Sequence, residues 1–261
     1  MIGTPQGTPA PEGDPHLRYL LRHADDNLVV AQRLGEWISR APELEEDIAL
    51  ANIALDHLGV ARALLTHAAD LEGQGHDEDY FAMGRSERDF TNLLLVEQAN
   101  GDFAQTMARQ LFLDAYQLEL WEGLSGSTDQ TLAGIAAKAL KEARYHFRHS
   151  STWVIRLGDG TEESHRRADE AVAALWRFTG ELFVGDDTDA AMAVAGIGVD
   201  PATLRPGWEG RIGAVLAEAL LEAPTGASHR VGGRQGYHTE HLGKLVAEMQ
   251  WLARSMPEAV W

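Results

Sequence analysis

The chain has no cysteine in its 261 residues. That excludes disulfides, thiolate metal sites and cysteine nucleophiles, and it fits a reducing compartment. Positive charge is scarce: 22 Lys and Arg stand against 40 Asp and Glu, for a formal net charge of −18. Non-specific binding to nucleic acid or to an anionic membrane needs clustered Lys and Arg, so neither is expected. No apolar run approaches the ~20 residues that a membrane-crossing helix takes. The first residues also lack the basic-then-apolar pattern of a signal peptide. The expectation is a soluble, cytoplasmic protein. Nor does any stretch show the strict alternation of a half-buried strand. What is present is helical periodicity, in a chain that is 44% hydrophobic and long enough to bury one large core.

Residues 1–15 hold four prolines and three glycines without hydrophobic periodicity, and read as a flexible tail. The remainder, 16–261, reads as a single all-α domain. Four long helices are predicted at about 16–40, 44–72, 102–123 and 132–157, followed by shorter ones at about 164–183, 208–223 and 240–256. Residues 85–98 read as a short helix or an extended connector. The segment GGRQGYHTEH, residues 232–241, separates the last two helices without disclosing a role.

The candidate chemistry centres on 132–157, a helical pattern of about seven turns. At roughly 100° per residue, Ile135, Ala139, Glu142, His146, His149 and Trp153 fall along one side. A carboxylate and two imidazoles on the inward side of a long bundle helix suggest a metal centre. Counting ~1.5 Å of rise per residue from the turns near Pro42 and Ser127 puts Asp56, Asp114 and Glu142 at one level, opposite Leu28. Ferritin-like bundles place a di-iron pair at that level, using a Glu from each of two helices and a Glu-x-x-His pair from each of the other two. Here the sequence departs from the pattern. The position three after Asp56 is Gly59, and three after Glu142 comes Tyr145. The first helix offers Gln32 on its shoulder, with Asp25 the nearest acid and a turn away. His57 and His146 each miss a ligand position by one residue, a turn of ~100°, and are not expected to substitute. One reading is therefore a buried polar network, its acids satisfied by Lys138, Arg62, Asn52 or Tyr145. The alternative is a di-iron or di-manganese oxygenase or oxidase using Asp56, Asp114 and Glu142.

Four stretches carry a family resemblance: AQRLGEWISRAPELEEDIALANIALDHLG, TNLLLVEQANGDFAQTMARQLFLDAY, KALKEARYHFRHSSTWVIRLGDGT and GYHTEHLGKLVAEMQWL. Running from Ala31 to Leu252, they resemble the PaaC-type subunits of bacterial phenylacetyl-CoA epoxidase complexes. The resemblance implies a ferritin-like bundle that has lost its di-iron site and is itself non-catalytic. It implies a related catalytic partner subunit that carries the iron, a separate reductase drawing on NADPH, and epoxidation of the aromatic ring during aerobic phenylacetate breakdown. On that footing the partner interface is expected on the first two helices, with Val30 and Trp37 as candidates opposite the inner stripe of the first. An acidic subunit is a poor main surface for polyanionic coenzyme A, so most basic contacts are expected from the partner.

Overall fold

The computed structural model describes residues 13–226 and 228–256. Most of the expected tail, through residue 12, lies outside them; Pro15, assigned to the tail, is the first residue of a helix. Four long helices form the bundle: α1 (Pro15–Gly35), α2 (Leu44–Glu72), α4 (Phe103–Leu124) and α5 (Gln130–Gly158), with α3 (Glu78–Met83) in the connection between the pairs. Three of the four starts are set by aspartate caps. Asp14 accepts the His16 N–H with Pro15 behind it, Asp102 the Gln105 N–H, and Asp129 the N–H groups of Thr131 and Leu132. These are the orphan amides of a first turn. Gly73, at φ 67°, closes α2 in the left-handed conformation.

Side-chain contacts fix the directions. His16 at the start of α1 and His67 near the end of α2 both bond Asp129, just before α5. Phe103 at the start of α4 packs edge-on against Trp153 near the end of α5. Two antiparallel hairpins, α1–α2 and α4–α5, are therefore joined by a connector running back along the bundle, the one-crossover arrangement of ferritin-like folds. Around them lie α6 (Glu162–Trp176), α7 (Asp187–Val194), α8 (Arg205–Glu218) and α9 (Glu240–Ser255). No strand occurs among the described residues. Helix α2 is long and apolar enough to cross a membrane, contrary to expectation, but one side of it is packed against α1 and α5.

Several boundaries differ from the sequence reading. The first helix stops at Gly35, not residue 40: the amides of Trp37, Ile38 and Arg40 bond three residues back, and Ser39 turns left-handed at φ 68°. The helix expected over 164–183 ends at Trp176. Beyond it, Glu181 is drawn into a short 3₁₀ turn where its carboxylate accepts the Leu94, Gly232 and Gly233 N–H groups. Helix α7 is absent from the sequence reading; an Asp186–Asp189 capping box starts it within a loop rich in Gly and Asp.

Residues 90–98 are not helical, yet Leu93–Gln98 are buried. Their backbone is satisfied by side chains from afar, which is how buried irregular chain survives. Asp26 accepts the Leu93 N–H, and the 232–241 segment supplies the rest of the frame. Arg234 reaches in to Asp26 (2.8 and 3.1 Å) and to the carbonyls of Arg22 and Thr91. His238 bridges the Glu97 carboxylate at 2.8 Å and the Phe90 carbonyl at 2.9 Å. A Cβ on Gly233 would stand 2.1 Å from the Asn92 carbonyl oxygen, so only glycine fits there.

Burial works to lower the His238 pKa, but Glu97 and the Phe90 carbonyl outweigh it and the pKa is raised. A histidine with a raised folded pKa stabilises the fold below its unfolded value of ~6.5, and that contribution is lost as pH rises through the folded value. The difference in melting temperature between the parent and His238→Gln should thus be largest near pH 6 and shrink above neutrality. A difference that is constant with pH would contradict the assignment.

Candidate functional site at the bundle centre

Helix α5 turns a slightly different face inward from the one expected. Its buried line runs Leu132, Ala136, Ala139, Ala143, His146, Ser150 and Val154. Glu142 and Tyr145 lie to the outer side of this line. Glu142 is 3.4 Å from Lys138, while Tyr145 is exposed and lies against the ring of His149. His149 in turn bonds Glu46 at 2.7 Å. On α2, Asp56 and Gly59 face outward and His57 is buried. The expectation that a one-residue offset removes His57 and His146 from the centre is therefore corrected: the inward line is offset by that same residue.

Three side chains meet at the middle of the bundle. His57 from α2, Asp114 from α4 and His146 from α5 are each at most 3% exposed, and one ligand atom from each lies within 4.8 Å of the others. The imidazole centroids are 5.0 Å apart. His57 Nδ1 is 2.9 Å from Asn27 Oδ1, an oxygen that also accepts from Gln117. His146 Nε2 is 3.0 Å from Asp56 Oδ2. The Ser150 hydroxyl donates to Asp114 Oδ2 at 2.7 Å. Burial, and behind it His146 and Arg109, pushes the His57 pKa well below its ordinary value. Burial likewise pushes Asp114 up to about 7, against His146, Ser150 and Arg109. Removal from water costs a charged group most, which sets both directions.

The other candidates take unrelated places. Gln32 lines a cleft of ≈ 380 Å³ beside α2 and α3, along with Arg62 and Glu78. Arg62 pairs with Glu78 at 2.9 Å instead of with a bundle acid. Asp25 is wholly buried but held by Arg85 and the Thr91 N–H, away from the centre. Val30 is fully buried inside this chain, so it is no surface residue. Trp37 is half-buried, its indole N–H donating to Thr106 at 3.0 Å and its ring edge-on to Phe103.

A bridged di-iron pair does not fit this centre. Of the three buried groups only Asp114 is a carboxylate, α1 contributes the amide of Asn27, and Glu142 and Asp56 are turned toward the rim. The four-carboxylate, two-histidine set such a pair requires is missing.

A one-crossover helical bundle with an altered centre is a class of scaffold, and comparison with known sequences narrows it. The chain belongs to the phenylacetic acid catabolic protein family, whose sequence model matches residues 1–261. It is 54% identical over 243 residues to the C-type subunit of the 1,2-phenylacetyl-CoA epoxidase of Escherichia coli (strain K12), an overlap of 93% of this chain and 98% of that protein.

Proposed function

We propose that this chain is the non-catalytic structural subunit of a cytoplasmic phenylacetyl-CoA 1,2-epoxidase, pairing with and stabilising a related subunit that carries the di-iron centre. Similarity to the Escherichia coli epoxidase subunit supports the assignment to the complex. The non-catalytic role rests on one observation: the bundle centre presents two imidazoles and one carboxylate where a bridged iron pair needs four carboxylates. Oxygen activation then belongs to the partner, fed from NADPH through a separate reductase. This chain contributes packing surface to the complex.

The test is anaerobic reconstitution of the full chain with iron(II), followed by Mössbauer spectroscopy and a turnover assay with phenylacetyl-CoA. The expected outcome is no carboxylate-bridged iron pair and no epoxide from this chain alone, with turnover once the catalytic subunit and reductase are added. Two bridged irons per chain with turnover would establish the chain as an oxygenase in its own right and overturn the proposal.

A further inference from the structure

We propose that His57, Asp114 and His146 form a site for a single divalent metal ion of the zinc class, clamping α2, α4 and α5 at the middle of the bundle. The inference is independent of whether the chain is catalytic. The outer atoms of all three side chains are already committed to hydrogen bonds. His57 points Nδ1 at Asn27 Oδ1, and that amide is oriented by its own Nδ2, which donates to the His23 carbonyl at 2.8 Å. His57 Nδ1 therefore carries the proton, which leaves Nε2 as a bare lone pair. His146 points Nε2 at the Asp56 carboxylate, leaving Nδ1 bare. Asp114 accepts the Ser150 hydroxyl on Oδ2, leaving Oδ1. These three inner atoms are buried and have no hydrogen-bond partner.

With both imidazoles neutral, three buried acceptors face the bundle centre with no donor among them. Close-packed interiors rarely leave even one such atom unmet. A trapped water donates only two protons, and a proton on Asp114 or on His146 satisfies only one neighbour. A cation satisfies all three together. The spacing suits one: ligands at about 2.0–2.2 Å from zinc stand roughly 3.4 Å from each other, and one ligand atom from each of the three residues already lies within 4.8 Å of the others. Histidine ligands of metals typically donate their other N–H to a carboxylate or carbonyl, which fixes the ring. Asp56 and Asn27 hold those places. Imidazole with carboxylate is a donor set zinc accepts.

The surrounding charge is mixed. Arg109 is a buried cation nearby; its two terminal nitrogens are engaged by the Gln98 carbonyl and Asn100 Oδ1, and its Nε has no partner. Against it stand Asp114, Asp56 behind His146, and Glu142, whose Oε2 is buried without a partner. Gln110, one turn before Asp114 on α4, is buried with both amide atoms unpartnered. The half-buried trio His16, His67 and Asp129 differs: both imidazoles already bond one Asp129 oxygen, and the other caps α5. Nothing there is left to satisfy.

The experiment strips the full-length chain with a chelator and titrates it with zinc(II) and then cobalt(II). Metal content, visible cobalt absorption and melting temperature are read in parallel. About one ion per chain is expected, with cobalt d–d bands of a four- or five-coordinate nitrogen–oxygen site and a melting temperature raised by the ion. Asp114→Asn and His57→Gln should abolish stoichiometric retention. Asp56→Asn touches no ligand atom and sits at a half-exposed position, so it tests the site without risking the core; it should weaken affinity about 10–100-fold. His67→Gln should leave metal retention unchanged. A chain that holds no ion, or holds one equally well in Asp114→Asn and Asp56→Asn, overturns the inference. Absence of both metal and turnover would remove this site while leaving the structural role standing; a bridged iron pair with turnover would overturn both.

Discussion

Replacing Arg234 with methionine is expected to lower the melting temperature by on the order of 10 °C. The residue is 8% exposed and its side chain spans α1 and the 90–98 connector, bonding Asp26 twice and two backbone carbonyls once each. Burial disfavours its charge, and Asp26 more than offsets this, so its pKa is raised. Removing one member of such a pair leaves a buried, uncompensated carboxylate, which costs about 3–5 kcal/mol. In a chain of this size each kcal/mol is worth roughly 2–4 °C. The double variant Asp26→Asn with Arg234→Met should lose less than the single change. The asparagine no longer demands a cation and can still accept the Leu93 N–H. Scanning calorimetry of both variants is the check. A drop of only a degree or two in Arg234→Met would show that the pair does not hold the connector in place.

That network marks a limit on what the sequence can disclose. Helix periodicity is local, and the four long helices are legible from it within a few residues at most ends. The connector is not. Whether residues 90–98 form a helix depends on Asp26 and Glu181 accepting the Leu93 and Leu94 amides that a helix would otherwise bond internally, and on Glu97 being tied to the Thr239 N–H. Two of these acids are held in turn by groups far along the chain: Arg234 is 208 residues from Asp26, and His238 is 141 from Glu97. No spacing rule links such residues. GGRQGYHTEH is conspicuous for its glycines, and the structure shows that it braces the core.

At the bundle centre the composition is legible and the phase is not. The sequence places acids and imidazoles on α2, α4 and α5 at one level, with Asp114 inward. On α5, however, the large residues Ile135, Phe147 and Trp153 draw the inferred stripe toward the flanks. They are only partly buried and reach over the core from the side. The line of closest approach is filled by Ala136, Ala139, Ala143 and Ser150, because small side chains let helices come together. The one-residue offset that reads as spoiling a metal centre is what carries His57 and His146 inside. The charge deficit and the absence of cysteine bear only on surface and compartment, and carry no information about that phase.

The second large effect concerns assembly. Val30 is unavailable, being part of the core, and Trp37 is half-buried against Phe103 and Thr106. The outer face of α2 is the better surface. Leu44, Ile48, Leu55 and Leu58 are 71, 54, 63 and 41% exposed in a line that the described residues leave uncovered. Gly59 adjoins that line, and exposed Tyr145 lies on the neighbouring α5. A contiguous apolar stripe of this kind on a water-facing helix marks a protein contact. In the proposed complex its occupant is the catalytic subunit. Leu55→Glu places a charge within the stripe, where contacts carry most of the energy, and should cost about 2 kcal/mol or more of binding, a loss of roughly thirtyfold in affinity. The side chain points away from the core, so circular dichroism and melting of the chain alone should be nearly unchanged. Val30→Asp gives the opposite signature, because a charge there unfolds the chain before assembly can be measured. Gel filtration of the co-expressed pair, with calorimetric titration of the purified subunits, distinguishes the two. If Leu55→Glu and Ile48→Glu both assemble with parental affinity, the outer face of α2 is not where the catalytic subunit sits.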